Sequence, residues 1–130
     1  MTAGVVVDTD VFSFVYKGDS RAAGYAPHLT GQPLHLAFVT IAELYRWSVL
    51  HGWGQQRVDD LRGVIANYTV LGYDDETAWE WARLMSIKGR PVAPGDAWVA
   101  AVATRHGLPL VTHNRKHFDG LPGLTVISDA

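Results

Sequence analysis

The alternation of short apolar runs with helical stretches constrains the fold more than any other feature of this sequence. Val5–Val7 is a β-branched run without polar alternation, which is typical of a strand buried on both faces. Further strands are predicted at residues 34–39, 69–73, 108–112 and 124–128. Strands separated by helices favour right-handed crossovers. The sequence therefore predicts an α/β protein, a three-layer α/β/α sandwich around a mostly parallel sheet of about five strands.

Helices account for most of the intervening sequence. They are expected at residues 10–17, 20–30, 40–50, 55–67, 74–88 and 96–106. Glycine or proline follows several of them, as at Gly31 to Pro33, Gly52 and Gly107. Loops are expected at residues 89–95 and after the fourth strand. A length of 130 residues is ordinary for one domain, so a single domain spanning residues 1–130 is expected.

Composition and charge narrow the class of protein. Hydrophobic residues make up 48% of the chain and charged residues 18%, which is a globular balance. A net charge of −2 argues against binding nucleic acid by bulk positive charge. It leaves room for a nuclease whose carboxylates are neutralised by cations. Cysteine is absent, which excludes disulfides, thiolate zinc sites and cysteine nucleophiles.

The N-terminal segment MTAGVVVDTD has neither the basic start nor the apolar length of a signal peptide. No run in the chain approaches the roughly 20 apolar residues that span a bilayer. A cytoplasmic protein without a membrane anchor is therefore expected.

Acidic and polar side chains follow the predicted strands. Asp8 follows the first strand, and Glu43 lies in the predicted first turn of the helix after the second. Asp96 begins the helix that leads to the fourth strand, and Asn114 lies just after that strand. Ligands of parallel sheets bind beyond the carboxyl ends of the strands. These four side chains are therefore predicted to converge in one cleft.

Three carboxylates and an amide suit a hard divalent cation. Mg²⁺ prefers oxygen ligands and usually keeps several waters. A bound cation lowers the pKa of its water and neutralises the charge that develops on a phosphate. Without a cation, clustered carboxylates repel one another and raise each other's pKa. The pattern therefore predicts an Mg²⁺ site held by Asp8, Glu43 and Asp96, with Asn114 assisting.

Each acidic residue also has a structural interpretation. Asp8 can cap the turn that follows it, and Asp10 is favoured as the N-cap of the first helix. Thr40 and Glu43 have the spacing of a capping box. The presence of Asp96 can also be explained by its favourable interaction with the dipole of the helix that it begins. Joint placement in one cleft is what favours the functional interpretation.

Four segments of the chain carry a resemblance to a known family. They are VVVDTDVFS at 5–13, TIAELYRW at 40–47, GDAWVAAVATRHGLPLVTHNRKHF at 95–118 and PGLTVI at 122–127. The sequence resembles a PIN domain of the VapC-type toxins over essentially its whole length. The third segment is the longest and the most specific.

The resemblance implies a fold, an activity and partners. It implies a PIN-like sandwich in which Asp8, Glu43 and Asp96 form an Mg²⁺ or Mn²⁺ site. It also implies hydrolysis of single-stranded or loop RNA by an activated water, a homodimer and an inhibitory antitoxin. The chain departs from the family after the fourth strand, where Asn114 and His117 occupy positions at which aspartate is frequent. Imidazole suits Mg²⁺ poorly, so one metal is expected.

Three alternatives remain beside the ribonuclease. A haloacid-dehalogenase-like phosphatase would explain Asp8 to Asp10 and Asp74, but it needs a lysine between them, and Lys17 is too close to the first strand. A phospho-acceptor signalling domain needs a lysine after the last strand, and none follows Ser128. A PIN fold that has lost activity and only binds a partner is the third.

Basic and aromatic residues add further expectations. Arg115 and Lys116 are candidates for phosphate contact or for a solvated loop. Trp79 and Trp81 cannot share one helical face, so one of them is expected to be exposed, where it would suit a dimer or antitoxin surface.

Overall fold

A five-stranded parallel sheet forms the centre of the protein. The computed structural model describes residues 3–130. The strands are β1 (Val5–Val7), β2 (Leu34–Ala37), β3 (Thr69–Leu71), β4 (Leu110–Val111) and β5 (Val126–Ile127). Every pairing is parallel, and the order across the sheet is β3-β2-β1-β4-β5. The α/β class and the parallel sheet predicted from the sequence are confirmed.

Helices cover both faces of this sheet. They are α1 (Thr9–Lys17), α2 (Ala22–Leu29), α3 (Phe38–Leu50), α4 (Gln55–Ile65), α5 (Asp75–Met85), α6 (Pro94–His106) and α7 (Arg115–Phe118). Successive strand residues point to opposite faces of a sheet. Val5 and Val7 accordingly pack in a core with residues of α1 to α4, whereas Val6 packs in a second core with residues of α5 to α7. The buried valine run is thus explained by helices on both sides.

The boundary between β2 and α3 differs from the prediction. The strand ends at Ala37, and Phe38 and Val39 already belong to the helix. Both side chains pack against the core on the α6 side. Their apolar character therefore reflects a buried helix face, which a short apolar run cannot distinguish from a strand. One consequence is that Glu43 lies in the second turn of α3, and its predicted place in the first turn was wrong.

Several helix bounds also differ from the prediction, and one helix was not predicted. Asp8, rather than Asp10, is the N-cap of α1. Helix α6 begins at Pro94, within a segment expected to be a loop, because proline has no N–H to leave unpaired in the first turn. Residues 115–118 form the short α7 where a loop was expected.

The order of the strands creates a crevice beside β1. The chain passes from β1 to β2 and β3 on one side, and β4 then pairs on the other side of β1. Val7 is in register with Val111, and the Asp8 N–H donates to the Val111 carbonyl at 2.9 Å. Parallel sheets form their ligand sites at such a switch in strand order. The residues that follow β1 and β4 are therefore neighbours.

The surface includes one large exposed aromatic side chain on α5. Trp79 is 65% exposed, whereas Trp81 stacks on Trp98 with ring centroids 4.9 Å apart. This confirms the expectation that one of the pair is exposed. Within residues 3–130, no helix has the length and apolar character needed to cross a membrane.

Substituting Gly4 by alanine is expected to destabilise the fold strongly, because a Cβ there would lie 2.1 Å from the Pro33 carbonyl oxygen. That oxygen accepts the Val5 N–H at 3.1 Å, where the chain enters β1. Gly52→Ala is the matched control, since Gly52 also has a positive φ but has no atom within 4 Å of its Cβ position. The control should lose about 1–2 kcal/mol of unfolding free energy. Urea titration should show at least twice that loss for Gly4→Ala, and equal losses would contradict the clash.

Candidate active site

A cavity of about 200 Å³ opens at the carboxyl ends of β1 and β4. Its lining includes all of the residues predicted as a site, which come from four separate segments of the chain. The lining residues are Asp8, Thr9, Asp10, Glu43, Trp47, Asp96, Val99 and Asn114. The fold thus brings the predicted carboxylates and the amide to one cleft.

Asp8 is buried in the cleft, and its carboxylate is held by residues that follow β1 and β4. Its side chain is buried, with 8% of its surface exposed. The Thr9 N–H donates to Asp8 Oδ1 at 2.9 Å, and the Thr112 hydroxyl donates to Oδ2 at 2.7 Å. Asp8 therefore caps α1 and lines the cleft at the same time. In the structure, Thr112 therefore positions the Asp8 carboxylate.

The environment of Asp8 disfavours its negative charge. Burial raises the pKa of Asp8 to about 7, and the nearby carboxylates of Asp10 and Asp96 act in the same direction. Hydrogen bonds from Thr112 and Thr9 lower the pKa but do not offset the burial. A cation in the cleft would relieve this cost, because it favours the ionised carboxylate.

Glu43 contacts the start of α1. The Thr9 hydroxyl lies 3.0 Å from Thr40 Oγ1 and 3.4 Å from Glu43 Oε1. The capping-box interpretation of Thr40 and Glu43 was wrong, because α3 begins at Phe38 and both residues lie inside it. Desolvation by the cleft walls raises the pKa of Glu43, and the Asp96 and Asp10 carboxylates add to the rise.

Asp96 pairs with a residue that sequence reasoning had treated only as a departure from the family. His117 Nδ1 lies 3.0 Å from Asp96 Oδ2, near the start of α6. The Arg90 guanidinium holds α7 in place by donating to the carbonyls of His117 and Asp119, at 3.2 and 3.0 Å. His117 thus contacts Asp96 from a helix that had been expected to be a loop.

Asp10 is a cleft residue that the sequence analysis assigned to capping. Its Oδ1 accepts from the Val11 N–H at 2.7 Å, and its Oδ2 accepts from the His113 N–H at 3.1 Å. Burial raises its pKa, although the hydrogen bonds from Val11 and His113 oppose the rise. The sequence signal that could have placed Asp10 in the cleft is its position two residues after Asp8, close to the end of the first strand.

Asn114 follows β4 and borders the cleft. Its N–H donates to Thr112 Oγ1 at 3.1 Å, and its side chain makes no capping bond to α7. The amide is therefore available to the cavity. Arg115 instead pairs with Asp119 at 3.4 Å, and neither Arg115 nor Lys116 is among the residues that line the cavity.

The cleft suits a cation that keeps much of its water. Within residues 3–130, no three His, Cys, Asp or Glu side chains already have the arrangement of a metal site. Mg²⁺ commonly binds proteins through one or two carboxylates and retains several waters. A water takes up about 30 Å³ of liquid volume, so a cavity of about 200 Å³ has room for a partly hydrated ion. The donors, all of them oxygen, fit such an ion.

Asp74, one of the residues that favoured a phosphatase, has a structural role. Asp74 Oδ1 accepts from the Thr77 N–H at 2.7 Å, which caps α5, and Arg105 Nε donates to Oδ2 at 3.0 Å. Asp74 also follows the edge strand β3, which is separated from β1 by β2. This carboxylate therefore does not belong to the cleft.

The sequence and the fold have counterparts in known proteins. The sequence profile of the PIN domain matches residues 5–124, and the chain belongs to this family.

The relatives of this chain indicate the branch of the PIN-domain family to which it is most similar. Ribonuclease VapC5 of Mycobacterium tuberculosis is 34% identical over 119 residues, covering 86% of this chain and 84% of the relative. The tRNA(fMet)-specific endonuclease VapC of Shigella flexneri is 25% identical over 122 residues, covering 92% of each chain. These relatives confirm the resemblance to VapC-type proteins. PIN-domain ribonucleases of this type generally depend on a divalent metal.

Solved structures agree with the fold. A VapBC-5 toxin–antitoxin structure from Mycobacterium tuberculosis has a TM-score of 0.72 and 30% identity, and the match covers 97% of this chain and 98% of that one. VapBC2 from Rickettsia felis, solved with a promoter DNA fragment, has a TM-score of 0.81 at 17% identity, with 95% and 97% covered. Because the identity to VapBC2 is only 17%, this second likeness concerns the fold alone.

In metal-free buffer, the free energy of unfolding is expected to fall as the pH rises from about 4 to about 7. Asp8 has an ordinary pKa of 3.8 and a folded-state pKa of about 7. Between these values the folded chain binds more protons than the unfolded chain, so raising the pH favours unfolding. The effect is at most on the order of 4 kcal/mol.

Asp8→Asn keeps the shape of the side chain and removes its charge. Urea titrations at pH 4 to 8 with EDTA should therefore give a flatter profile and a more stable protein at pH 8. Asp60→Asn, on the exposed side of α4, is the control and should keep the wild-type profile. Parallel profiles for wild type and Asp8→Asn would contradict the prediction.

Proposed function

We propose that this chain is an Mg²⁺-dependent endoribonuclease and the toxin of a VapBC-type toxin–antitoxin pair, with Mn²⁺ able to replace Mg²⁺. The observation that carries the proposal is the convergence of Asp8, Glu43, Asp96 and Asn114 on one cavity at the β1–β4 switch. Membership of the PIN-domain family and the 34% identical ribonuclease VapC5 support it.

Each cleft residue has a distinct task in this proposal. Asp8, Glu43 and Asp96 hold the cation, which when bound activates water and neutralises the charge that develops on the phosphate. Thr112 orients Asp8 through its 2.7 Å hydrogen bond. Asn114 presents its amide to the cavity and positions a water for attack on phosphorus. Hydrogen bonds to a side chain that binds a cation matter, because they fix the orientation of its oxygen atoms.

A single ion is proposed for each chain. The Asp96 oxygen that faces α7 is already 3.0 Å from His117 Nδ1. Imidazole is a softer ligand than carboxylate and suits Mg²⁺ poorly. The position that a further aspartate would use to bind a second ion is therefore occupied by the imidazole of His117, which contacts Asp96.

The proposed partners are RNA, an antitoxin protein and a second copy of the chain, acting in the cytoplasm. Several solved structural neighbours are toxin–antitoxin complexes, including those from Mycobacterium tuberculosis and Klebsiella pneumoniae. Trp79, at 65% exposed, offers an aromatic anchor of the kind that is enriched in protein interfaces.

Removing the charge of Asp8 or Asp96 is expected to lower RNA cleavage at least about 100-fold, because the cation loses a ligand. Asn114→Ala, which affects only a positioned water, should lower it roughly 10-fold. Single-turnover cleavage of total tRNA and of a structured mRNA fragment measures these rates, and circular dichroism checks folding. Asp60→Asn should cleave like wild type. Full activity of Asp8→Asn would exclude the mechanism, and hydrolysis of p-nitrophenyl phosphate without RNA cleavage would favour the phosphatase.

Mn²⁺ titration followed by electron paramagnetic resonance should show one bound ion per chain. His117→Asp replaces the partner of Asp96 by a carboxylate, so a second, weaker Mn²⁺ site is expected in this variant. His117→Asn, which adds no charge, is the matched control and should keep a single ion. Two ions in the wild-type protein, or one in His117→Asp, would contradict the assignment.

A further inference from the structure

A second cavity, of about 420 Å³, adjoins the acidic cleft. It is lined by the end of α1, the end of α3 and the start of α4. The residues are Lys17, Trp47, His51, Trp53 and Arg57, and together they are called here the tryptophan–cation pocket. No carboxylate is among them. Trp47 also lines the acidic cleft, so the two cavities are neighbours that share this side chain.

The two cations of this pocket are held by aromatic rings instead of ion pairs. Lys17 Nζ lies 4.9 Å from the Trp47 ring centre, and the Arg57 guanidinium lies 3.9 Å from that of Trp53. Among residues 3–130, neither cation has a carboxylate oxygen within 4.0 Å. Asp19, the acidic group that follows α1, is paired with Arg21 at 2.8 Å.

This arrangement leaves the charges available to an anion. A guanidinium stacked on a ring keeps its N–H groups directed outward in its own plane, where they can bind a phosphate. Tyr16 stacks near Trp53, with ring centroids 6.4 Å apart and an angle of 25°. The Arg57 site is thus supported by a packed aromatic pair, which reduces the entropy lost when a ligand binds.

We infer that the tryptophan–cation pocket binds a phosphate of single-stranded RNA next to the phosphate that is cleaved. This inference rests on the proposed ribonuclease function. The acidic cleft repels the RNA backbone, and the net charge of −2 supplies no general attraction. A local pair of cations in the neighbouring cavity, which shares Trp47 with the cleft, supplies attraction for the strand as it leaves the cleft.

Binding is measured in the Asp8→Asn background, so that RNA is not cleaved. The probe is a fluorescein-labelled 12-nucleotide single-stranded RNA of mixed sequence, followed by fluorescence anisotropy at several salt concentrations. Lys17→Gln with Arg57→Gln should weaken binding about tenfold or more, since two charge-assisted contacts are lost. The slope of log affinity against log salt should fall by about 1.4.

Two matched variants control for charge and folding. Lys17→Arg with Arg57→Lys keeps both charges and should retain most of the affinity. Arg62→Gln removes a cation from the same helix, but Arg62 lies over Tyr45 and near Asp59 and does not line the pocket. It should bind RNA like the parent protein. Circular dichroism and thermal melts verify that each variant is folded.

The outcomes separate this inference from the proposed function. If the wild-type chain cleaves RNA but the double glutamine variant binds it with unchanged affinity and salt slope, the pocket inference is wrong and the ribonuclease function stands. If the wild type neither binds nor cleaves RNA, both fail. A poly-glutamate peptide that binds the parent but not the double variant, with RNA affinity unchanged, would assign the pocket to an acidic protein segment and overturn the inference.

Discussion

The pairing of β1 with β4 at the centre of the sheet brings together the residues that form the base of the cleft. It places the end of β1, with Asp8, against the end of β4, with Thr112, although 104 positions separate these residues in the chain. Their 2.7 Å hydrogen bond is a direct product of that register. A slip of one residue would turn every side chain to the opposite face and remove the contact. The two cores, one on each face, prevent such a slip.

The same register concentrates negative charge where water is scarce. Burial raises the pKa of Asp8, Asp10 and Glu43, and neighbouring carboxylates add to the rise for Asp8 and Glu43, so the cleft is costly to the fold unless a cation shares it. An acidic site cannot by itself attract a polyanion. The separate pair of cations in the neighbouring cavity, Lys17 and Arg57, provides the opposite charge at short range. In the proposed ribonuclease, attraction for the RNA backbone and cleavage of the RNA are therefore assigned to adjacent cavities of opposite charge.

Periodicity and strand ends were enough to predict the class of fold and the residues that meet in the cleft. They failed at Phe38 and Val39, since burial on a helix face and burial in a strand give the same apolar run. They failed also for Asp10, because a capping aspartate and a cleft aspartate look alike until the partner segment is known. The contact of His117 with Asp96 depends on α7, a helix too short to leave a periodic pattern.

By itself, the sequence determined the number and type of the main elements, the parallel sheet and the identity of the acidic side chains. Those features depend on local patterns and on the ends of strands, which are readable along the chain. The tertiary structure alone decided the partner of each carboxylate, the altered pKa values and the position of the cations beside Trp47 and Trp53. These properties arise from distances between segments far apart in the chain, and no local pattern records such distances.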